Sequence, residues 1–338
     1  MTRWLKRLAF VTLFTIIFGA IALKFAVSQF QSRRAKAATG QSVNFQHQGR
    51  EREYRIHVPK SYSGNKPISL LVFLHGGGGD SITASVMGVT PLAEEQGFIV
   101  VYPNAIDRHW NDGRESPLFL EHDQQIDDAD FVISVVEQVK QKYSIDKTRV
   151  FCAGISNGGF MTQRLAIEKP EVFSAAGIFV ASMGEPLKDK FDPKLPVSMV
   201  LINGTKDPLV PYDGGPVKVE LFPKLSRLAK RSPANRGACI ATEEVTAMWV
   251  KRNGISKEPI VKRLPDTGSD DGSHVEHSLW TGGQQGTAVA LYKVIGGGHT
   301  VPGGQSYARE SLIGKVNRDM DGLEAMWQFF NDHARRPK

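Results

Sequence analysis

Six largely apolar runs constrain the fold of this chain more than any other feature: Ile68–Leu74, Phe98–Tyr102, Val150–Ala153, Ala175–Ala181, Val197–Ile202 and Ala288–Val294. A strand with one face in water alternates apolar and polar residues. A strand covered on both faces has no need to, and runs of this kind are typical of parallel sheets under helices. Helical periodicity falls between and after the runs. Asp127–Tyr143 sets Phe131, Val132, Val135, Val136 and Val139 on one face, with Asp127, Asp128 and Asp130 at the positive N-terminal end. Met320–His333 sets Leu323, Met326, Trp327 and Phe330 on one face. The pattern predicts the α/β class, a mostly parallel sheet with helices on both faces, in one domain over 41–338. Tyr54, Ile56 and Val58 alternate as in a half-buried strand. Residues 31–45 read as a polar linker, and 214–237 and 264–286 as surface insertions.

The formal charge of +7 belongs to one end of the chain. Residues 1–40 carry Arg3, Lys6, Arg7, Lys24, Arg33, Arg34 and Lys36 and no acidic residue; without these seven, 35 basic residues face 35 acidic ones. The body therefore lacks the basic surplus of a nucleic-acid binder, and no nucleic-acid partner is expected. Arg3, Lys6 and Arg7 precede the apolar run Leu8–Leu23, the layout of an export signal. With Lys24 snorkelling, the run extends through Phe30 and forms a membrane tether over residues 8–30. Ala26-Val27-Ser28 and Ala35-Lys36-Ala37 are candidate cleavage sites. Export to the periplasm or the extracellular space is expected, with the leader either cut or kept as an anchor. Two cysteines, Cys152 and Cys239, make no disulfide framework and read as free thiols.

Four glycine-bearing loops follow the apolar runs. Gly154-Ile155-Ser156-Asn157-Gly158 closes Val150–Ala153 and opens a helical pattern, the strand–turn–helix context that lifts a serine hydroxyl above a sheet. His75-Gly76-Gly77-Gly78-Gly79-Asp80 follows Ile68–Leu74 and can turn backbone amides toward a developing oxyanion; its spacing fits neither nucleotide-binding glycine motif. His75 itself reads better as a structural hydrogen-bonder than as a base. Asn203-Gly204-Thr205-Lys206-Asp207-Pro208 places an acid after Val197–Ile202. Gly296-Gly297-Gly298-His299-Thr300 places a histidine after Ala288–Val294. A serine nucleophile needs a base, and the base an orienting acid. The chain order Ser156, Asp207, His299 is that of the α/β-hydrolase arrangement. His274 and His277 form a His-x-x-His pair in a polar stretch and read as a solvated loop, not as metal ligands.

These loops, with Tyr102-Pro103-Asn104, Trp110-Asn111-Asp112-Gly113 and Asp127-Asp128-x-Asp130-Phe131, resemble the esterase/polyhydroxybutyrate (PHB) depolymerase family, which has feruloyl and acetylxylan esterase relatives. The resemblance covers nearly all of residues 45–335. It implies an α/β-hydrolase fold, Ser156 as nucleophile, Asp207 as acid, His299 as base, and an oxyanion hole from the amides of Gly77 and Asn157. It also implies that Trp110, Asp112 and His75 serve the substrate pocket. One departure stands out: the family often has Trp after His-Thr, where this chain has Val301.

The function expected is two-step hydrolysis of carboxylic esters through an acyl-enzyme, with no cofactor and no metal. The chain ends on its closing helix without an added binding module, which favours a small-molecule or oligomeric ester such as a hydroxyalkanoate oligomer over solid polymer. A serine peptidase on the same scaffold and a catalytically dead, membrane-tethered binding protein are the alternatives.

Overall fold

A computed structural model describes residues 38–219, 234–267 and 271–336. The leader, with its apolar run and both candidate cleavage sites, lies outside them. No helix among the described residues is long and apolar enough to cross a membrane.

The described residues form twelve strands: β1 (Gln41–His47), β2 (Arg50–His57), β3 (Ile68–Leu74), β4 (Ile99–Pro103), β5 (Ile145–Ile155), β6 (Ala175–Phe179), β7 (Ser198–Gly204), β8 (Gly215–Val219), β9 (Ala234–Cys239), β10 (Ile260–Arg263), β11 (His274–Trp280) and β12 (Val289–Ile295). Ten form one sheet in the order β1-β2-β4-β3-β5-β6-β7-β12-β11-β10, and β8 pairs with β9 alone. The six strands expected from the apolar runs are its parallel centre, β4-β3-β5-β6-β7-β12. An antiparallel pair flanks that centre on each side, β1-β2 at one edge and β11-β10 at the other.

The helices are α1 (Ser81–Ser85), α2 (Val89–Gln96), α3 (Leu120–Gln125), α4 (Asp128–Lys142), α5 (Asn157–Glu168), α6 (Thr242–Arg252), α7 (Glu310–Ile313) and α8 (Gly322–His333). Two apolar clusters cover the two sheet faces. Phe131, Val132 and Val135 of α4, Phe160 and Leu165 of α5 and Trp249 of α6 pack on one. Val89 and Ala93 of α2 and Leu323, Met326, Trp327 and Phe330 of α8 pack on the other. Asp127 caps α4 by accepting the Asp130 amide, and Lys140 and Lys142 complement its C-terminal end.

Three expectations are corrected here. The polar linker reaches only to the start of β1: Gln41–His47 pairs along its length with β2, and its exposed, Gln-rich alternation belongs to an edge strand. The first surface insertion, of which residues 220–233 lie outside the described ones, carries β8 and most of β9. The second contains β11, so His274 and His277 stand on a strand, and the His277 ring stacks on Tyr292 at 4.2 Å instead of lying in a solvated loop. Cys152 and Cys239 are free and buried.

Candidate active site

Parallel strands end on the same edge, so the loops after β3, β5, β7 and β12 gather there. Ser156, between β5 and α5, has φ 55° and ψ −121°, a conformation favourable to glycine and strained for any L side chain. Its amide donates to Phe179 O at 2.9 Å and its carbonyl accepts from Phe160 N at 2.9 Å, which pins the turn between β6 and α5. The flanking glycines make that turn possible. A Cβ at Gly154 would sit 2.3 Å from Gly158 O, and one at Gly158 would sit 2.4 Å from Leu74 O.

Asp207 and His299 come from the next loops. Asp207 Oδ1 accepts the amides of Leu209 (2.8 Å) and Val210 (2.9 Å), and its Oδ2 lies 2.6 Å from His299 Nδ1. The two side chains are 2% and 3% exposed, so this pair is nearly free of competing water. A carboxylate can only accept, so Nδ1 carries the proton and Nε2 holds a lone pair. The His299 amide donates to Ile313 O, and its carbonyl accepts from the Tyr307 hydroxyl at 3.2 Å. Asp207 and His299 are thus brought together. Ser156 Oγ makes no hydrogen bond to either among the described residues. Such contacts are often long in the absence of substrate.

His75, Trp110 and Asp112, expected to serve the substrate pocket, stand as bracing groups, in keeping with the structural reading of His75. They are 0%, 0% and 1% exposed. They hold the loop Gly76–Gly79. Ala105 N–H donates to His75 Nε2 at 3.1 Å, so that nitrogen accepts and Nδ1–H donates to Gly76 O at 2.8 Å. Gly79 N–H donates to the same carbonyl at 2.9 Å. In a trans peptide the carbonyl and the following amide point in opposite directions. Fixing Gly76 O therefore fixes the Gly77 N–H on the other side. The space a Cβ on Gly77 would fill lies 3.5 Å from Asn157 Cβ, and the corresponding space on Gly76 lies 3.6 Å from Ser156 Cβ. The Trp110 indole donates to His75 O at 2.9 Å.

The Asn157 side chain was missed by sequence reasoning, which used only its amide. Its Oδ1 accepts Trp110 N–H (2.9 Å), and its Nδ2 donates to Trp110 O (3.1 Å) and Asp112 Oδ2 (2.6 Å). Asp112 is paired in turn with buried Arg114 at 2.7 Å. Arg236 of β9 was also missed. Its Nη1 lies 3.6 Å from the Cβ space of Gly77, and its guanidinium faces Phe119 at 5.2 Å. Burial, reinforced by the charge of Arg114, pulls its pKa below the ordinary value. No ion pair neutralises it among the described residues. No local pattern marks Asn157 or Arg236, because their partners are remote in sequence.

His75 gives a pH prediction. Burial pushes its pKa down from 6.5 to about 4. Between these values the unfolded chain binds a proton that the folded chain refuses, so stability falls as pH drops from 6.5 toward 4 and does not change from this source above 6.5. At about 1.4 kcal/mol per pH unit, the loss by pH 4 is about 3 kcal/mol. Urea unfolding at several pH values is expected to show that slope in the parent and a flatter one in His75→Gln; equal slopes would remove His75 as the cause.

Residues 53–191 match the family model described as Esterase PHB depolymerase. The chain is 26% identical to a putative esterase NocK of Nocardia uniformis subsp. tsuyamanensis, over 83% of this chain and 79% of that protein. It is 27% identical to a probable feruloyl esterase C of Aspergillus niger, over 53% of this chain and 64% of the relative, so it spans less than two thirds of that relative. Among solved structures, an acetyl xylan esterase from Aspergillus awamori superposes with a TM-score of 0.52 at 16% identity, covering 87% of this chain and all of that one. That likeness, with the parallel sheet and its two helical layers, shows the α/β-hydrolase fold.

Proposed function

We propose that this relative of the esterase PHB depolymerase family is a serine hydrolase of carboxylic esters, working through a Ser156–His299–Asp207 triad and an acyl-enzyme. The observation that carries the reading is the buried Asp207–His299 pair at 2.6 Å on the same sheet edge as the strained Ser156 elbow. His299 Nε2 takes the Ser156 proton as Oγ attacks the ester carbonyl. The amides of Gly77 and Asn157 receive the oxyanion, each such donor being worth about 3–4 kcal/mol in the transition state. His299 then gives the proton to the leaving alcohol, and water repeats the sequence to free the acid. A fluorophosphonate ester tests this: the expected result is a single adduct on Ser156 in the native protein. No adduct would favour a binding protein, and faster turnover of aminoacyl amides than of matched esters would favour a peptidase. Export, read from the basic leader and its apolar run, belongs to the same proposal.

Arg236 bears on the substrate. A guanidinium without an ion pair among the described residues, beside the Gly77 loop, favours a short ester that carries its own carboxylate, as a hydroxyalkanoate oligomer does. A hydrogen bond to a charged group contributes about 1.5–3 kcal/mol, so Arg236→Ala is expected to raise KM roughly 10- to 100-fold for the 3-hydroxybutyrate dimer acid. Its methyl ester should be hydrolysed as before. Equal losses on both esters would assign Arg236 a structural role instead.

A further inference from the structure

His109, His122 and Asp123 meet behind the loop that carries Trp110. One ligand atom from each lies within 4.8 Å of the others. Asp123 Oδ1 is 3.1 Å from His122 Nδ1 and 3.6 Å from His109 Nε2. Zn–N bonds of about 2.0–2.1 Å in a tetrahedron set neighbouring ligand atoms about 3.3 Å apart, so both spacings suit three corners around one ion.

His109 supplies the independent observation. It is only 2% exposed, and neither ring nitrogen has a hydrogen-bond partner among the described residues. The Asp123 oxygen at 3.6 Å is too far for a hydrogen bond. Leaving such a buried imidazole nitrogen unpaired is unfavourable. The ring is held in place by stacking on Phe119 at 3.6 Å and 13°. His122 has the outer contact that metal-binding histidines commonly show: its Nε2 faces Ile106 O at 3.3 Å, and with the proton held on Nε2 the Nδ1 that otherwise donates to Asp123 Oδ1 at 3.1 Å is freed to ligate.

We propose that His109 Nε2, His122 Nδ1 and Asp123 Oδ1 form a site for a divalent first-row transition ion of the Zn2+ class. Two imidazoles and a single carboxylate suit that class and not Ca2+ or Mg2+, which take mainly oxygen ligands. The ion accepts three lone pairs, any proton on the two ligating nitrogens leaves to solvent, and water takes the fourth position. His122 and Asp123 are 12% and 11% exposed, which gives an entry route. The role is structural. Asn111 Nδ2 already donates to Asp123 O (2.7 Å) and Ile126 O (2.8 Å), so an ion on His109 fastens α3 to the loop that steadies Trp110.

The test uses the full chain, stripped with EDTA and titrated with Zn2+ alone by calorimetry. One ion per chain is expected. At a hundredfold excess over Kd, Tm should rise by about 5 °C, while Mg2+ and Ca2+ give no shift. His122→Gln and Asp123→Asn, both with folds verified by circular dichroism, should each weaken binding at least tenfold. Co2+ should give a visible absorption band in the parent that His122→Gln loses. No one-to-one binding at 100 μM Zn2+, parent-like binding in both variants, or loss of binding in His277→Gln instead would overturn the site.

Discussion

Ser156→Ala is expected to lower kcat on p-nitrophenyl butyrate by a factor on the order of 10^5–10^6, the scale seen when a nucleophile is removed from an intact triad. The fold should persist, because the elbow is held by its amide to Phe179 O and its carbonyl to Phe160 N, not by the hydroxyl. The fluorophosphonate adduct should vanish with the activity. A second variant separates chemistry from strain. Ser156 sits at φ 55° and ψ −121°, where a Cβ is disfavoured and glycine is at home. Ser156→Gly should therefore be as inactive as Ser156→Ala yet more stable than it, by roughly 1–3 kcal/mol in urea unfolding. Undiminished turnover in either variant would dismiss Ser156 as the nucleophile.

The sequence was most legible where burial was complete. The six central strands announce themselves because two-sided burial demands largely apolar runs, and α4 because Phe131, Val132, Val135 and Val136 repeat at helical spacing. The Ser156 elbow is legible because sterics admit only glycine at 154 and 158. The edges were not. β1 exposes most of its length and β10 all of it, so neither needs an apolar signature; β1 reads as a linker, and β10 is too short to stand out. The site's supporting layer was only partly legible, for a different reason. His75, Trp110 and Asp112 look like pocket residues beside a nucleophile motif, but their partners lie far along the chain: Trp110 to Asn157, and His75 to Ala105 and Trp110. Only the folded chain shows that these buried polar groups satisfy one another. The His109, His122 and Asp123 cluster is hidden likewise, its ligands lying on a loop and a short helix with no motif spacing.

Asp207→Asn should reduce kcat roughly 10^4-fold with little change in the fold, by installing the wrong histidine tautomer. The two oxygens of Asp207 have different duties. Oδ1 accepts two backbone amides, from Leu209 and Val210, and Oδ2 alone meets His299 Nδ1. Asparagine has one oxygen. It will occupy the Oδ1 position, since turning the amide over would aim its NH2 at two N–H donors in a buried site. The NH2 group then faces His299 Nδ1 and must donate to it. Nδ1 becomes the acceptor, the proton moves to Nε2, and the imidazole presents Ser156 with a donor where a lone pair is required. Loss of the charge-assisted bond costs about 1–2 kcal/mol of stability, far less than the catalytic loss. Asp207→Ala removes the orientation without imposing the tautomer, so it should retain more activity than Asp207→Asn. Turnover in Asp207→Asn above a tenth of the parent's, measured under saturating ester, would show that this carboxylate does not set the protonation of His299.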